Sequence, residues 1–502
     1  MSLNGAPQAG HPPVATHTVL SAAPGELYAR ADERSLVCLL DDGTLHVSAA
    51  HKLDPFVLAY QERVRTHGRD FSVVYSTPER IQALYLEAGN SLASINATQV
   101  QEEVVTMLRE ATKLGASDLH IVTGTKESLI RIRVHGVLED YKRLRETEGH
   151  AIASTIYSSM LDTGGADTFF KRNQPQDGRL KEQFVSSIGL YGARVATRPT
   201  DRGHMMVMRL LYNTLTKVSL SDLGYLPEQA EIIRGLCHNK TGINILSGAT
   251  GSGKSLSLKA ALELLAGIFD YAIHILTIED PCEYTITGAV QTPVIGGDWT
   301  GAISNAMRLD PDVLQIGELR DHPSAMAGFR AAMTGHGVWT TLHANDVVSA
   351  LERLKDLGVE EGLLTDPMLV TGLMNQSLVR RVCHACSQPY AEAAPRLSRL
   401  ERQRIEAHCD PAKARIAGEG CTNCRRGFVG RTLVAEIVRP TAQFMEVFRT
   451  QGKLAARRHW VHEMGGITKT AHAIRRINEG AIDPLTAERD IGQTLDREFI
   501  AL

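Results

Sequence analysis

The sequence predicts an α/β protein whose largest part is a mostly parallel sheet with crossover helices, preceded by two smaller α+β units. Three observations carry that reading. Short apolar strands at 243–247, 274–278, 313–316 and 338–342 alternate with helical stretches, the order that a parallel sheet requires. Residues 248–255 spell GATGSGKS, a complete G-x-x-x-x-G-K-S loop, between the first of these strands and a run of helix formers, LSLKAALELL at 256–265. Upstream, about residues 27–212 mix hairpin-like strands with helices in an order that fits α+β units.

Length and composition bound the rest. The 502 residues suffice for about three domains, and 43% hydrophobic with 22% charged residues is a globular balance. A net charge of −3 and 5% aromatics give no global pull towards nucleic acid, so no direct nucleic-acid contact is expected. The most apolar long stretch, 258–276, is broken by Lys259, Glu263, Asp270 and His274, so no transmembrane segment is expected either. The opening MSLNGAPQAGHPPVATHTVL has neither a basic leader nor an apolar core, which argues against a secretory signal and for a cytoplasmic chain.

Residues 1–25 are rich in Ala, Pro and Gly and read as a disordered tail. A small α+β module at 26–90 follows: strand 37–40, the turn Asp41-Asp42-Gly43, strand 44–47, a helix near 56–66, strand 71–75 and a helix near 78–87. A polar stretch, 89–98, separates it from a second unit at 98–212. That unit opens with a helix over 99–114 and continues through strands at 119–122, 129–134, 184–187, 194–197 and 205–210, with a helix near 150–161. Pro199, Asp201 and Gly203 sit at the turn of the last strand pair. After a connector at 213–219 comes the loop-bearing domain, 220–502.

In the loop, Gly248, Gly251 and Gly253 let the backbone bend so that successive N–H groups and a helix N-terminus point at phosphate oxygens. Ala249, Thr250 and Ser252 complete the cradle, Lys254 reaches the β and γ phosphates, and the Ser255 hydroxyl is a Mg²⁺ ligand candidate. Hydrolysis needs more than a cradle. Glu318 follows the apolar strand 313–316 at its carboxyl end, where ligands sit in parallel sheets, and is assigned water activation or the metal shell. Glu279 caps strand 274–278 with Asp280 and Glu283 behind it, and His343 ends strand 338–342, placed to sense a γ-phosphate. A lone acid after a strand is more often a turn residue or helix cap, and a lone histidine more often structural. Co-occurrence on three strands of one sheet shifts that balance.

These residues resemble the secretion ATPases of type II secretion and type IV pilus assembly. GATGSGKS, TIEDPCEY (277–284), LDPDVLQIGELRD (309–321) and TGHGVWTTLHAND (334–346) look like that family's Walker A, Asp, Walker B and His boxes, in its order. GASDLH (115–120), RIRVHG (131–136) and QPQDGRL (174–180) look like its N-terminal signatures, so the resemblance covers about 98–485. It implies a RecA-like P-loop NTPase domain behind a PAS-like α+β domain, with ATP held by Gly251, Ser252, Gly253, Lys254 and Ser255, catalytic help from Glu318, and support from Glu279, Glu283 and His343. It also implies arginines of the preceding domain reaching the phosphates on domain closure; Arg194 and Arg209 match best, whereas Arg198 reads as a surface strand residue. Cys282 stands where Val or Ile is usual, and Gln315 interrupts the Walker B strand.

Of eight cysteines, four form two Cys-x-x-Cys pairs, Cys383/Cys386 and Cys421/Cys424, the donor set of a closed structural Zn²⁺ site within an insert at 380–431. A redox pair is disfavoured by the reducing cytoplasm and the lack of a thioredoxin-like context. Cys38, Cys237, Cys282 and Cys409 read as buried or incidental thiols. The insert resembles that of the assembly branch, which retraction motors usually lack. The resulting expectation is a cytoplasmic ATPase, peripheral to the inner membrane, that forms a hexameric ring and pushes pilin-like subunits through an inner-membrane platform protein docked by residues 26–90. The short N-terminus favours a type IVb or conjugative thin pilus. Alternatives are a DNA-translocating or conjugative motor, a pilus-retraction motor, and a non-hydrolysing nucleotide-binding scaffold.

Overall fold

The computed structural model describes residues 19–498 apart from 22–26, 28, 30–32, 34, 35, 53, 163–168 and 213–217. The tail expected over 1–25 thus lies mostly outside the described residues. Its described part, Val19 to Ser21, packs onto the first sheet: Leu20 N–H donates to the Leu39 carbonyl at 2.8 Å and Leu39 N–H to Ser21 Oγ at 3.0 Å.

That sheet has strands β1 (Val37–Leu39), β2 (Thr44–Ser48) and β3 (Ser72–Ser76). A tight turn at Gly43, φ +84°, makes β1 and β2 an antiparallel hairpin, as the sequence suggests. Helix Pro55–Thr66 crosses over to β3, which runs parallel to β2. Asp54 starts the helix by accepting from Phe56 N–H, and Pro55 suits the first turn. Helix Pro78–Lys113 then runs unbroken through 89–98, where the sequence suggests a separator. The lone Gly89 costs a helix only about 1 kcal/mol. Thr77 caps one end, and Val104, Leu108 and Ala111 bury the other against the next sheet.

The second sheet is antiparallel, in the order β6-β5-β4-β10-β9-β8-β7. Its strands are β4 (Ala116–Thr123), β5 (Glu127–Val134), β6 (Val137–Arg145), β7 (Leu161–Asp162), β8 (Gln176–Leu180), β9 (Leu190–Thr200) and β10 (Gly203–Tyr212). Leu119, Ile121, Ile130, Ile132, Met206 and Met208 alternate inward under helix Glu146–Thr155. The strand expected at 184–187 is instead a pair of short 3₁₀ turns, and the pairing partner of β9 is β8. Polar QDGRL hides that strand, since only Gln176 and Leu180 turn inward.

The third sheet has the order β13-β12-β14-β15-β11-β16-β19, all parallel except β19. Its strands are β11 (Gly242–Ser247), β12 (Ile275–Glu279), β13 (Ala289–Pro293), β14 (Val313–Ile316), β15 (Gly337–Leu342), β16 (Val370–Val382) and β19 (Phe428–Val438). Every residue of β11, β12, β14 and β15 is buried because helices cover both faces. The two-stranded ribbon β17 (Gln388–Pro389) and β18 (Arg415–Ile416) lies in the β16–β19 connection. Among the described residues no helix is long and apolar enough to cross a membrane.

Buried His204 gives this fold an acid-sensitive point. Burial first, then His150 and Arg172, push its pKa down to about 4, against a raising influence from Glu146. A base whose folded pKa is depressed contributes stability above its unfolded value near 6.5, lost as pH falls towards 4. The term is at most about 3 kcal/mol. His204→Phe should flatten the acid limb of denaturant unfolding over that interval; an unchanged limb contradicts the assignment.

Candidate nucleotide and metal sites

Strand register brings the loop, Glu318 and His343 to one edge. Ser247 of β11 lies opposite Leu342 of β15, and Ile316 of β14 opposite Thr340, so the residues that follow these strands emerge side by side. Gly248 N–H donates to the Leu342 carbonyl at 3.3 Å.

The loop rests on β16. Gln376 Nε2 donates to the Ser252 carbonyl at 2.8 Å, while its Oε1 accepts from the Tyr225 hydroxyl at 2.7 Å. A Cβ on Gly248, φ +149°, would stand 2.6 Å from the Gln376 carbonyl, so only glycine fits. Gly251 and Gly253 also hold positive φ, and helix Lys254–Ile268 starts at Gly253 with no side-chain cap, leaving its first-turn N–H groups directed at the loop. Ser252 Oγ is buried without a hydrogen-bond partner among the described residues. Lys254 Nζ donates to the Gly248 and Ala249 carbonyls at 2.8 and 3.1 Å. Burial pushes its pKa down, while Glu318 and Glu283 oppose that. Ala249 and Thr250 are exposed and Ser255 half-buried. Loop residues Gly248, Ala249 and Thr250 line a cleft of about 560 Å³ with His343 and Asn345.

Glu318 bridges two neighbours: Oε1 lies 3.2 Å from His343 Nε2, and Oε2 accepts from Arg320 Nε at 3.0 Å. Burial and then the Lys254 ammonium lower the His343 pKa, while Glu318 opposes that. Glu279 is buried at the end of β12. Its Oε1 accepts from Thr277 Oγ1 at 2.7 Å and Gln291 Nε2 at 2.9 Å, and burial raises its pKa. Nothing in the sequence spacing singles out Gln291, Gln376 or Asn375, because each reaches the site from a strand whose pattern does not mark it.

The arginines stand apart from this edge. Arg194 and Arg209 face each other across β9 and β10; Arg209 Nε donates to Asp118 Oδ1 at 3.0 Å, and Arg194 is exposed. Among the described residues no hydrogen bond joins either to 248–255. The second unit touches the loop-bearing domain elsewhere. The Tyr191 hydroxyl donates to the Cys282 carbonyl, and the Arg425 guanidinium reaches Glu139 Oε2 at 2.6 Å.

The four cysteines converge although 34 residues separate the pairs. Cys383 directly follows β16, and Cys421 and Cys424 precede β19, so they close the neck of the insert. Sγ separations are 3.8 Å for Cys383–Cys421 and 3.6 Å for both Cys386–Cys424 and Cys421–Cys424, and all four thiols are free. Zn–S bonds of about 2.3 Å at tetrahedral angles place sulfurs about 3.8 Å apart, so the quartet fits zinc. All four donor atoms lie within 4.8 Å of one another. Of the scattered cysteines, Cys38, Cys237 and Cys409 are buried and Cys282 half-buried.

The family profile described as Type II/IV secretion system protein matches residues 94–485. The chain is 34% identical over 358 residues to the type II secretion system ATPase E of Vibrio cholerae serotype O1, covering 70% of this chain and 68% of that protein. It is 33% identical over 351 residues to the type IV pilus assembly ATPase PilB of Acinetobacter baylyi, covering 69% of this chain and 58% of that one. A solved structure of the pilus retraction motor PilT with bound ADP superposes with a TM-score of 0.52 at 20% identity, covering 77% of this chain and 96% of that one, a likeness of fold. On the family match, which takes in more than half of its residues, the chain belongs to the type II/IV secretion system proteins.

Proposed function

We propose that the chain is an ATP hydrolase that drives assembly of type IV pilus or type II secretion pseudopilus subunits. The observation that carries the hydrolase reading is the convergence of Lys254, Glu318 and His343 on one sheet edge. The relatives named above supply the kind of work, an assembly or secretion ATPase.

Each residue then has a task. The amides of Gly248, Ala249, Thr250, Gly251, Ser252 and Gly253 line the triphosphate, and Lys254 exchanges its bonds to loop carbonyls for β- and γ-phosphate oxygens. Ser255 would hold Mg²⁺, which would supply charge neutralisation on the phosphates. Glu318 accepts a proton from the attacking water as the bond between the γ-phosphorus and the bridging oxygen breaks, releasing phosphate and ADP. His343, whose Nε2 lies 3.2 Å from Glu318 Oε1, turns that N–H from Glu318 to a γ-phosphate oxygen. Glu279 and Glu283 hold the polar shell behind it. Arg194 and Arg209 approach on domain closure, and for Arg209 that means giving up Asp118. Cys383, Cys386, Cys421 and Cys424 would hold Zn²⁺, which would close the insert, and a tetracysteine insert favours the assembly branch. In this reading the chain works in the cytoplasm as a hexameric ring against an inner-membrane platform protein, with residues 26–90 as the docking module.

Glu318→Gln keeps the side chain's size and removes its basicity. ATP turnover should fall about 10²–10⁴-fold with ATP still retained; equal rates in variant and wild type would refute the assignment. Native mass spectrometry should find about one zinc per chain, lost in a Cys421→Ser, Cys424→Ser double variant. A metal-free wild type with four free thiols would remove the zinc reading.

A further inference from the structure

Directly behind His343 lies a buried polar cluster to which sequence reasoning gives no role. Asn375 of β16 is fully buried; its Nδ2 donates to the Ala344 carbonyl at 2.9 Å and to Ser247 Oγ at 2.8 Å. Ser247 is the last residue of β11 before the phosphate loop, and its hydroxyl donates to the Met374 carbonyl at 2.8 Å. Asn375 Oδ1 accepts from Lys469 Nζ at 2.6 Å, and the same ammonium donates to the Asn345 carbonyl at 2.6 Å. Lys469 is itself buried, at the start of the C-terminal helix Lys469–Asn478. Two side chains therefore hold consecutive carbonyls immediately after His343, and one of them also holds the root of the loop.

The next residues are held from the same side. Glu436 Oε2 accepts from Val347 N–H at 3.1 Å, Glu436 Oε1 from Lys469 N–H at 3.2 Å and from Arg457 at 2.8 Å, and Lys453 Nζ lies 3.1 Å from Asp346 Oδ2. An ammonium has three donors and no acceptor, so a buried lysine with these partners admits few positions for the carbonyls around it.

We infer that Lys469 and Asn375 are positioning residues for ATP turnover: together they fix the 344–345 backbone against the root of the phosphate loop, and so set the reach of His343 to the γ-phosphate. The inference rests on the reading of His343 as the γ-phosphate-sensing group. It makes helix Lys469–Asn478 part of the nucleotide site although that helix does not line the cleft at the loop.

The test uses the full chain, a fluorescent ADP, the same label on a non-hydrolysable ATP analogue, and steady-state turnover. Lys469→Met and Asn375→Asp should each lower kcat at least tenfold and weaken the ATP analogue at least fivefold, with ADP affinity within twofold of wild type. Pairing either change with His343→Ala should add less than twofold to the loss from His343→Ala alone. Equal weakening of ADP and the analogue marks a merely structural role and overturns the inference, as do losses that multiply with His343→Ala. Should Lys469→Met fail to fold, Asn375→Asp decides the matter, because it keeps the acceptor for Lys469 and removes the donor to Ala344. A slow His343→Ala beside a wild-type-like Lys469→Met and Asn375→Asp sinks this inference alone; a His343→Ala that turns over like wild type sinks the reading of His343 and the inference with it.

Discussion

Parallel register among β11, β14 and β15 is the constraint on which the rest of the molecule depends. Three strands running the same way, with Ser247 opposite Leu342 and Ile316 opposite Thr340, release their chains at one edge. Helices must then carry each chain back over the sheet, which buries both faces and leaves that edge as the place where polar groups from distant sequence can meet. Lys254, Glu318 and His343 meet there because the backbone leaves them no other exit.

The strand β16 adds a second layer of control. It flanks β11 on the side away from β15, supports the loop through Gln376, and holds the His343 segment through Asn375. Its far end runs into Cys383, where the insert begins. One strand thus links the floor of the nucleotide site to the metal clip, and Arg425, directly after Cys424, carries that link on to Glu139 of the second unit. Glu139 is almost wholly buried while Arg425 is half-buried, and Arg426 lies 3.5 Å from the same carboxylate.

Much of this is legible in the amino-acid sequence. The loop glycines announce themselves because only glycine tolerates their backbone angles, and β11, β12, β14 and β15 announce themselves because strands buried on both faces are mostly apolar, even with Asn244 and Gln315 inside them. The cysteine quartet is legible from spacing, since four of the eight cysteines fall into two Cys-x-x-Cys pairs. What sequence could not disclose is partnership across long separations. Asn375, Gln376 and Lys469 lie more than a hundred residues from the loop they support, and β16 reads as a mixed polar run because its buried Asn375 and Gln376 find their partners in other elements rather than in water. The 89–98 stretch misleads for the opposite reason: its composition suits a connector, yet helix on either side carries through it. Arg209 was identified by resemblance, and its bond to Asp118 could be seen only once β4 and β10 were known to be neighbours.

The account stands on the Lys254 ammonium and the backbone amides of its loop gripping a triphosphate. Equilibrium binding of a fluorescent ATP analogue with magnesium, compared between wild type and Lys254→Ala, tests that grip most directly. Loss of one charge-assisted contact in a partly buried site predicts about tenfold to a hundredfold weaker binding in the variant. Equal affinities, or a wild type that holds no nucleotide at all, would contradict it.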